Sequence, residues 1–277
     1  MQAVYEAEME QQQNIFLKKT FVAITGASKG LGRCIALQFA AKFPANTVFV
    51  LMARNEQALE NVKSEIVSKI PNVTVLVRQY DQGIVEKGYF NDIFNEILLR
   101  NKLSENDFQQ FMIVHNCAAV IGLSKKTLEL CDSVEVRNAF DINLIGMILL
   151  NTSFFQTFSD SKKSRVVVNM SSAAASTPVR YMHLYCAGKA ARDMYMRVLA
   201  AEEPSLRILT FAPGSSDTDL AKTVERCCPD KVVAALMKRL REEGRITLPE
   251  TPISKLVDIL EENTFENAVC LESDKIF

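Results

Sequence analysis

FVAITGASKGLG, residues Phe21 to Gly32, is an apolar, β-branched run that breaks into a glycine-rich turn, and the helical pattern RCIALQFAAKF follows it directly. Strand, turn and helix in that order form the setting in which a glycine turn holds a dinucleotide. Gly26, Gly30 and Gly32 carry no Cβ, so the chain can turn tightly and its backbone can approach a pyrophosphate. The amino end of the next helix adds unpaired N–H groups and the positive end of the helix dipole. A glycine-rich turn without a ligand has the same composition; the flanking elements favour the binding reading.

Outward from this turn, apolar runs alternate with helical periodicities along the whole chain. Strands are expected at Phe21–Thr25, Thr47–Met52, Val73–Tyr80, Phe111–Asn116, Arg165–Ser171, Arg207–Phe211 and Ala268–Leu271. Helices are expected near 31–43, 56–69, 84–100, 133–157, 186–203 and 253–262. Continuous Val/Ile/Leu runs belong to strands buried on both faces, as in parallel sheets. Regular β–α alternation implies right-handed crossovers. The fold class is therefore α/β: a single Rossmann-type, doubly wound domain with a seven-stranded parallel sheet. Residues 1–18 read as a polar lead-in and 19–277 as the domain. Within it, the segment 215–250 interrupts the alternation, and its run KRLREEGR reads as a solvated helix face.

The chain has 277 residues, 48% of them hydrophobic, enough for one large core. A formal net charge of −1 gives no electrostatic case for nucleic acid or an acidic membrane. No apolar run approaches the ~18 residues that a membrane helix needs. The start of the chain, MQAVYEAEMEQQQN, is unlike a signal or transit peptide. Seven Cys without Cys-x2-Cys spacing, and two His (His115, His183), form no recognisable metal site and point to a reducing cytoplasmic setting. Cys34, Cys117 and Cys186 read as small buried apolar residues, and adjacent Cys227 and Cys228 as part of a solvated loop.

The chemistry concentrates in LYCAGKAARDM, where Tyr185 and Lys189 stand four apart and share one helix face. An ammonium beside a phenol favours the phenolate and lowers the Tyr pKa, which suits Tyr185 to protonate a carbonyl oxygen as hydride reaches the carbon. Ser172 ends the NMSS strand thirteen residues before Tyr185, a separation that can set a strand-end hydroxyl beside a helix-borne phenol; a capping serine is the other reading. Asn143 sits mid-helix, where Asn is poorly suited; either a water-relay or a buried structural amide fits. At the end of the second strand Arg54 stands where NAD enzymes usually carry a carboxylate, and Lys29 lies in the glycine turn. Two cations suit a 2′-phosphate, so the expected cofactor is NADP(H); Arg54 as a solvated helix-entry residue is the alternative.

TGASKGLG, the strand end His115–Ala119, Asn143, the NMSS strand end and YCAGK, in this order across nearly the whole chain, resemble the short-chain dehydrogenase/reductase family. LYCAGKAARDM, VLAAEEP, FAPGSSDTD and the closing Asp274-Lys275 are most similar to its pterin-reducing members. The resemblance implies that Tyr185 is the general acid, that Lys189 lowers its pKa and binds the nicotinamide ribose, that Ser172 holds the substrate carbonyl, and that Asn143 carries a proton relay. It places Gly26, Ala27, Ser28, Lys29, Gly30, Leu31, Gly32, Arg54, Asn55, Asp81, Gln82 and Asn116 around NADP(H), together with Ser216, Asp217, Thr218, Asp219, Leu220 and Ala221. Ala173, Gly214 and Asp274 would join Ser172 and Tyr185 at the substrate, the carboxylate facing a pterin ring's N–H donors. Two positions depart from the family pattern: Ala119 for a Gly, and Ser215 for a Pro.

The implied activity is NADPH-dependent reduction of pterin side-chain carbonyls. A broad carbonyl or diketone reductase, or a non-catalytic NADP-binding sensor, are the alternatives. The family also implies a homodimer built through the long helices near 133 and 186.

Overall fold

A computed structural model of the chain describes residues 14–273. Asp274 and positions 1–13 of the expected lead-in lie outside them. Seven strands, β1 (Thr20–Thr25), β2 (Val48–Ala53), β3 (Thr74–Gln79), β4 (Gln110–His115), β5 (Ser164–Met170), β6 (Leu206–Ala212) and β7 (Cys270–Glu272), form one sheet in the order β3-β2-β1-β4-β5-β6-β7. Every neighbouring pair is parallel. All residues of β1 and β4 are buried, which is why their centres read as apolar runs.

Nine helices are described: α1 (Gly30–Lys42), α2 (Glu56–Lys69), α3 (Ile93–Arg100), α4 (Ser133–Phe140), α5 (Gly146–Thr157), α6 (His183–Glu202), α7 (Asp219–Cys227), α8 (Lys231–Glu242) and α9 (Glu250–Glu262). One face of the sheet packs side chains of α1, α2 and α9. The opposite face packs α3, α5 and α6 around a phenylalanine cluster in which Phe111 and Phe158 stack with centroids 4.4 Å apart. β1 lies between β2 and β4, so the chain changes direction there and leaves a crevice at the strands' carboxyl ends.

Three elements differ from the sequence expectation. The helix expected over 84–100 is confined to α3, because Gly88 takes a φ of +91° and the segment before Ile93 turns to bury Phe90. The helix expected over 133–157 is interrupted at Asp141–Ile145 by a π-helical turn. The segment 215–250 folds as two helices, α7 and α8, with Cys228 buried between them rather than in a solvated loop. Within the expected lead-in, Ile15 and Phe16 are buried, Phe16 lying edge-on to Phe39 and Phe43 at 5.3 and 4.8 Å. Among the described residues no helix is long and apolar enough to cross a membrane.

Candidate active site

The crevice is built from the glycine turn upward. Thr25, the last residue of β1, donates its hydroxyl to Val114 O and accepts from the amides of Asn116 and Cys117, which joins the ends of β1 and β4. Gly26 follows with a φ of +66°, a conformation that a side chain would strain. Gly32 is required for a different reason: a Cβ there would stand 2.1 Å from Gly26 O and 2.7 Å from Asn116 Nδ2. α1 thus begins at Gly30 with its amino end at the crevice, and Lys29 before it has no side-chain capping bond.

Arg54 and Asn55 follow β2 at the same opening, where Asn55 caps α2 by accepting from the Ala58 amide. Asp81, after β3, accepts from the Gly83 amide. Gln82 is buried, and its amide donates to Ile142 O (2.5 Å) in the π-helical turn. Lys29 is held by Asp219 at 2.6 Å; both side chains are mostly exposed, so the pair contributes under about 1 kcal/mol and yields readily to a phosphate.

At the other end of the crevice, buried residues recur along α6 with the helical period: Tyr185, Lys189, Arg192 and Met196. Tyr185 and Ser172 line the same end of the cavity, close enough for the serine hydroxyl to act on the phenol, and the Lys189 ammonium nitrogen lies 5.6 Å from the Tyr185 ring centroid. Lys189 donates to Met170 O at 2.5 Å. The structure corrects the expected electrostatics. Burial dominates and raises the Tyr185 phenol above its ordinary value, the Ser172 hydroxyl opposing it, so Tyr185 is a protonated donor at neutral pH. Burial, reinforced by the Arg192 cation, pushes the Lys189 amine well down.

Asn143 lies in the π-helical turn and pins the β4 end: its Oδ1 accepts from the Ala119 amide and its Nδ2 donates to Ala119 O, both at 2.9 Å. Both amide groups are therefore engaged, and a π turn of this kind recurs at functional sites. The close packing continues at Gly188, whose Cβ would lie 3.0 Å from Asn143 Cβ.

The loop after β6 covers the crevice. Ser216 pairs with Thr247 as a short parallel bridge, with Asp217 N donating to Thr247 O and Thr247 N to Ser215 O. The two feet of the α7–α8 hairpin therefore meet. Arg180 reaches Asp230 at 2.8 Å, the carboxylate that caps α8. Beneath the hairpin, Leu123, Met182, Tyr185, Val224, Cys228 and Val233 form an apolar cluster. The cavity so enclosed has a volume of about 810 Å³.

Of the residues singled out from sequence, the structure brings Gly26, Ser28, Lys29, Gly30, Leu31, Arg54, Asn55, Asp81, Gln82, Asn116, Ser172, Tyr185, Lys189, Gly214 and Ser216 through Ala221 to this one cavity. Ala27 and Asn143 are buried behind it, Gly32 is buried beneath the turn, and Ala173 is exposed outside it. Sequence reasoning missed Cys34 and Glu250, which line the cavity and bond to each other at 3.4 Å; burial and the adjacent carboxylate push that thiol up to about 12. It also missed Met182, Val224 and Met237 on the lid side, whose helical spacing looks the same as ordinary core.

The family pattern described as short chain dehydrogenase matches residues 20–228. The chain belongs to the short chain dehydrogenase family. It is 34% identical to the sepiapterin reductase of Mus musculus over 245 residues, covering 88% of this chain and 92% of that protein. It is 26% identical over 260 residues to a benzil reductase ((S)-benzoin forming) of Bacillus cereus, covering 92% of this chain and 99% of that one. Among solved structures, a short chain dehydrogenase of Shigella flexneri complexed with NADP superimposes with a TM-score of 0.74 at 17% identity, covering 95% of this chain and 100% of that chain. At that identity the likeness concerns the fold of this oxidoreductase family.

Proposed function

We propose that this short chain dehydrogenase uses NADPH to reduce a carbonyl group on a small organic substrate, a pterin side-chain carbonyl being the preferred reading. The observation that carries the reading is the meeting of Tyr185, Ser172 and Lys189 at one end of a crevice whose other end is the glycine turn. The residues present fit the dinucleotide. Gly32 lets the turn close against α1, where a Cβ would strike Gly26 O, and the Ser216 hydroxyl is buried beside the crevice without a partner among the described residues. Lys29 and Arg54 would hold the 2′-phosphate. The turn from Gly26 to Leu31 and the start of α1 would hold the pyrophosphate, with Asn55, Asp81, Gln82 and Asn116 along the adenosine half and Ser216 to Ala221 over the nicotinamide half.

When bound, NADPH supplies the hydride that reduces the carbonyl carbon. Tyr185 passes its phenolic proton to the carbonyl oxygen, so the product is an alcohol. Ser172 donates to that oxygen as charge builds on it, an effect typically about 3 kcal/mol in comparable sites. Lys189 would bind the nicotinamide ribose, and Asn143 would hold the Ala119 segment that backs the ring. Likeness to sepiapterin reductases over most of both chains supports the pterin reading.

A second reading, a broad diketone reductase, is favoured by the apolar chamber and by the likeness to benzil reductases. The experiment follows NADPH absorbance with sepiapterin and with benzil, for the native chain, Tyr185→Phe and Asp274→Asn. Tyr185→Phe should lose about a hundredfold or more in turnover yet bind NADPH. Asp274→Asn should raise the KM for sepiapterin and leave benzil reduction nearly unchanged. Turnover of Tyr185→Phe near the native rate would refute the proton-donor assignment, and no NADPH loss with either substrate would refute the reductase.

A further inference from the structure

Among the described residues Arg192 heads the large, fully buried side chains, and its guanidinium has no direct carboxylate partner there. Its hydrogen bonds go to neutral oxygens: His115 O at 2.7 Å, Cys117 O at 3.0 Å, and Asn169 Oδ1 at 3.1 and 2.9 Å. Asp193 reaches it only through Asn169, whose amide nitrogen donates to that carboxylate at 3.0 Å. The other Asp193 oxygen accepts from Ser171 at 2.6 Å.

These bonds tie together the elements that carry the site. His115 and Cys117 belong to the end of β4 under the crevice, Asn169 lies three residues before Ser172 on β5, and Arg192 itself follows Tyr185 and Lys189 on the same face of α6. A neutral amide could clip two strand ends as well. Burying a full charge without a carboxylate beside it is costly, so the charge needs a use of its own. Arg remains protonated in any protein interior, which makes it a fixed source of positive potential.

We propose that Arg192 is a positioning residue for carbonyl reduction: from beneath the crevice it fixes the strand ends that carry the site and supplies the standing positive charge that supports the Tyr185 phenolate as the proton leaves. The inference rests on Tyr185 being the proton donor. The ionisable groups that face the guanidinium are Tyr185, Lys189 and Asp193 on α6, His115 and Cys117 at the β4 end, and Tyr80 after β3. The cation favours the ionised form of Tyr185, and an arginine keeps that charge across the whole pH range of the reaction.

The test compares pH profiles of kcat/KM for Arg192→Gln and Asp193→Asn in both reaction directions, with thermal melting and NADPH binding measured in parallel. Arg192→Gln should move the falling limb of carbonyl reduction, and the rising limb of alcohol oxidation, upward by about half a pH unit or more. Asp193→Asn removes the opposing charge and should move both limbs downward. Melting points that fall while both profiles stay in place would mean a purely structural role and overturn the proposal. Should Arg192→Gln yield no folded protein, the direction of the Asp193→Asn shift decides alone, an unmoved or upward limb overturning it. An active Tyr185→Phe would instead overturn the proton-donor assignment itself, so the two failures are distinct.

Discussion

Acid should weaken this fold through His115, and by an amount that the structure sets. The residue ends β4 fully buried, its Nε2 lies 3.1 Å from Asn151 Oδ1, and its Nδ1 is buried without a partner among the described residues. Burial, with the Arg192 cation acting in the same direction, lowers its pKa from 6.5 to about 3. The unfolded chain takes up a proton as pH falls through 6.5, whereas the folded chain does so only near 3. Stability from the neutral imidazole is therefore complete above 6.5 and is lost progressively as pH falls toward 3. At pH 4, about 2.5 pH units below the unfolded pKa, preferential protonation of the unfolded state is worth about 3 kcal/mol at ~1.36 kcal/mol per pH unit. Urea unfolding of the native chain and of His115→Asn at pH 7 and pH 4 isolates this contribution, since other titrating groups cancel in the comparison. The native chain should lose about 3 kcal/mol more than the variant between the two pH values. Equal losses would refute the assignment of a neutral buried imidazole.

Gly32→Ala would bring a Cβ to 2.1 Å from Gly26 O, forcing the turn to move by more than about 1 Å. NADPH affinity, followed by fluorescence titration, should fall about a hundredfold for a misplacement of that size, and unchanged affinity would show that the turn does not hold the cofactor. Arg54→Ala should weaken NADPH about tenfold or more and leave NADH binding nearly constant, because the guanidinium would serve the extra phosphate alone. Parallel titrations with both nucleotides check this, and equal losses would place Arg54 elsewhere.

The sheet was legible because strands buried on both faces cannot disguise their composition: the centres of β1 (21–24), β4 (111–114) and β5 (166–168) stand as apolar runs. The glycine turn and the Tyr185–Lys189 pair were legible because their spacing is local. The π-helical turn was not, since it is stabilised by contacts between Asn143 and Ala119, far apart in sequence. Arg192 was missed for a related reason: an Arg one turn beyond Lys189 on an amphipathic helix reads as solvated, and only the carbonyls converging from β4 show otherwise. The Tyr185 phenol was expected to be lowered by Lys189, an argument about a pair of charges that left out the burial of both. The 84–100 helix failed where Gly88 and the burial of Phe90 outweighed helical periodicity.

The bridge between Ser216 and Thr247 has a consequence for how such a protein can diversify. A stretch whose entry and exit are stitched together bears its own closure entropy, so its length and composition can drift with little strain passed to the sheet. New specificities can therefore arise by rewriting α7 and α8 as a cassette, while the hydride-transfer floor below is inherited unaltered.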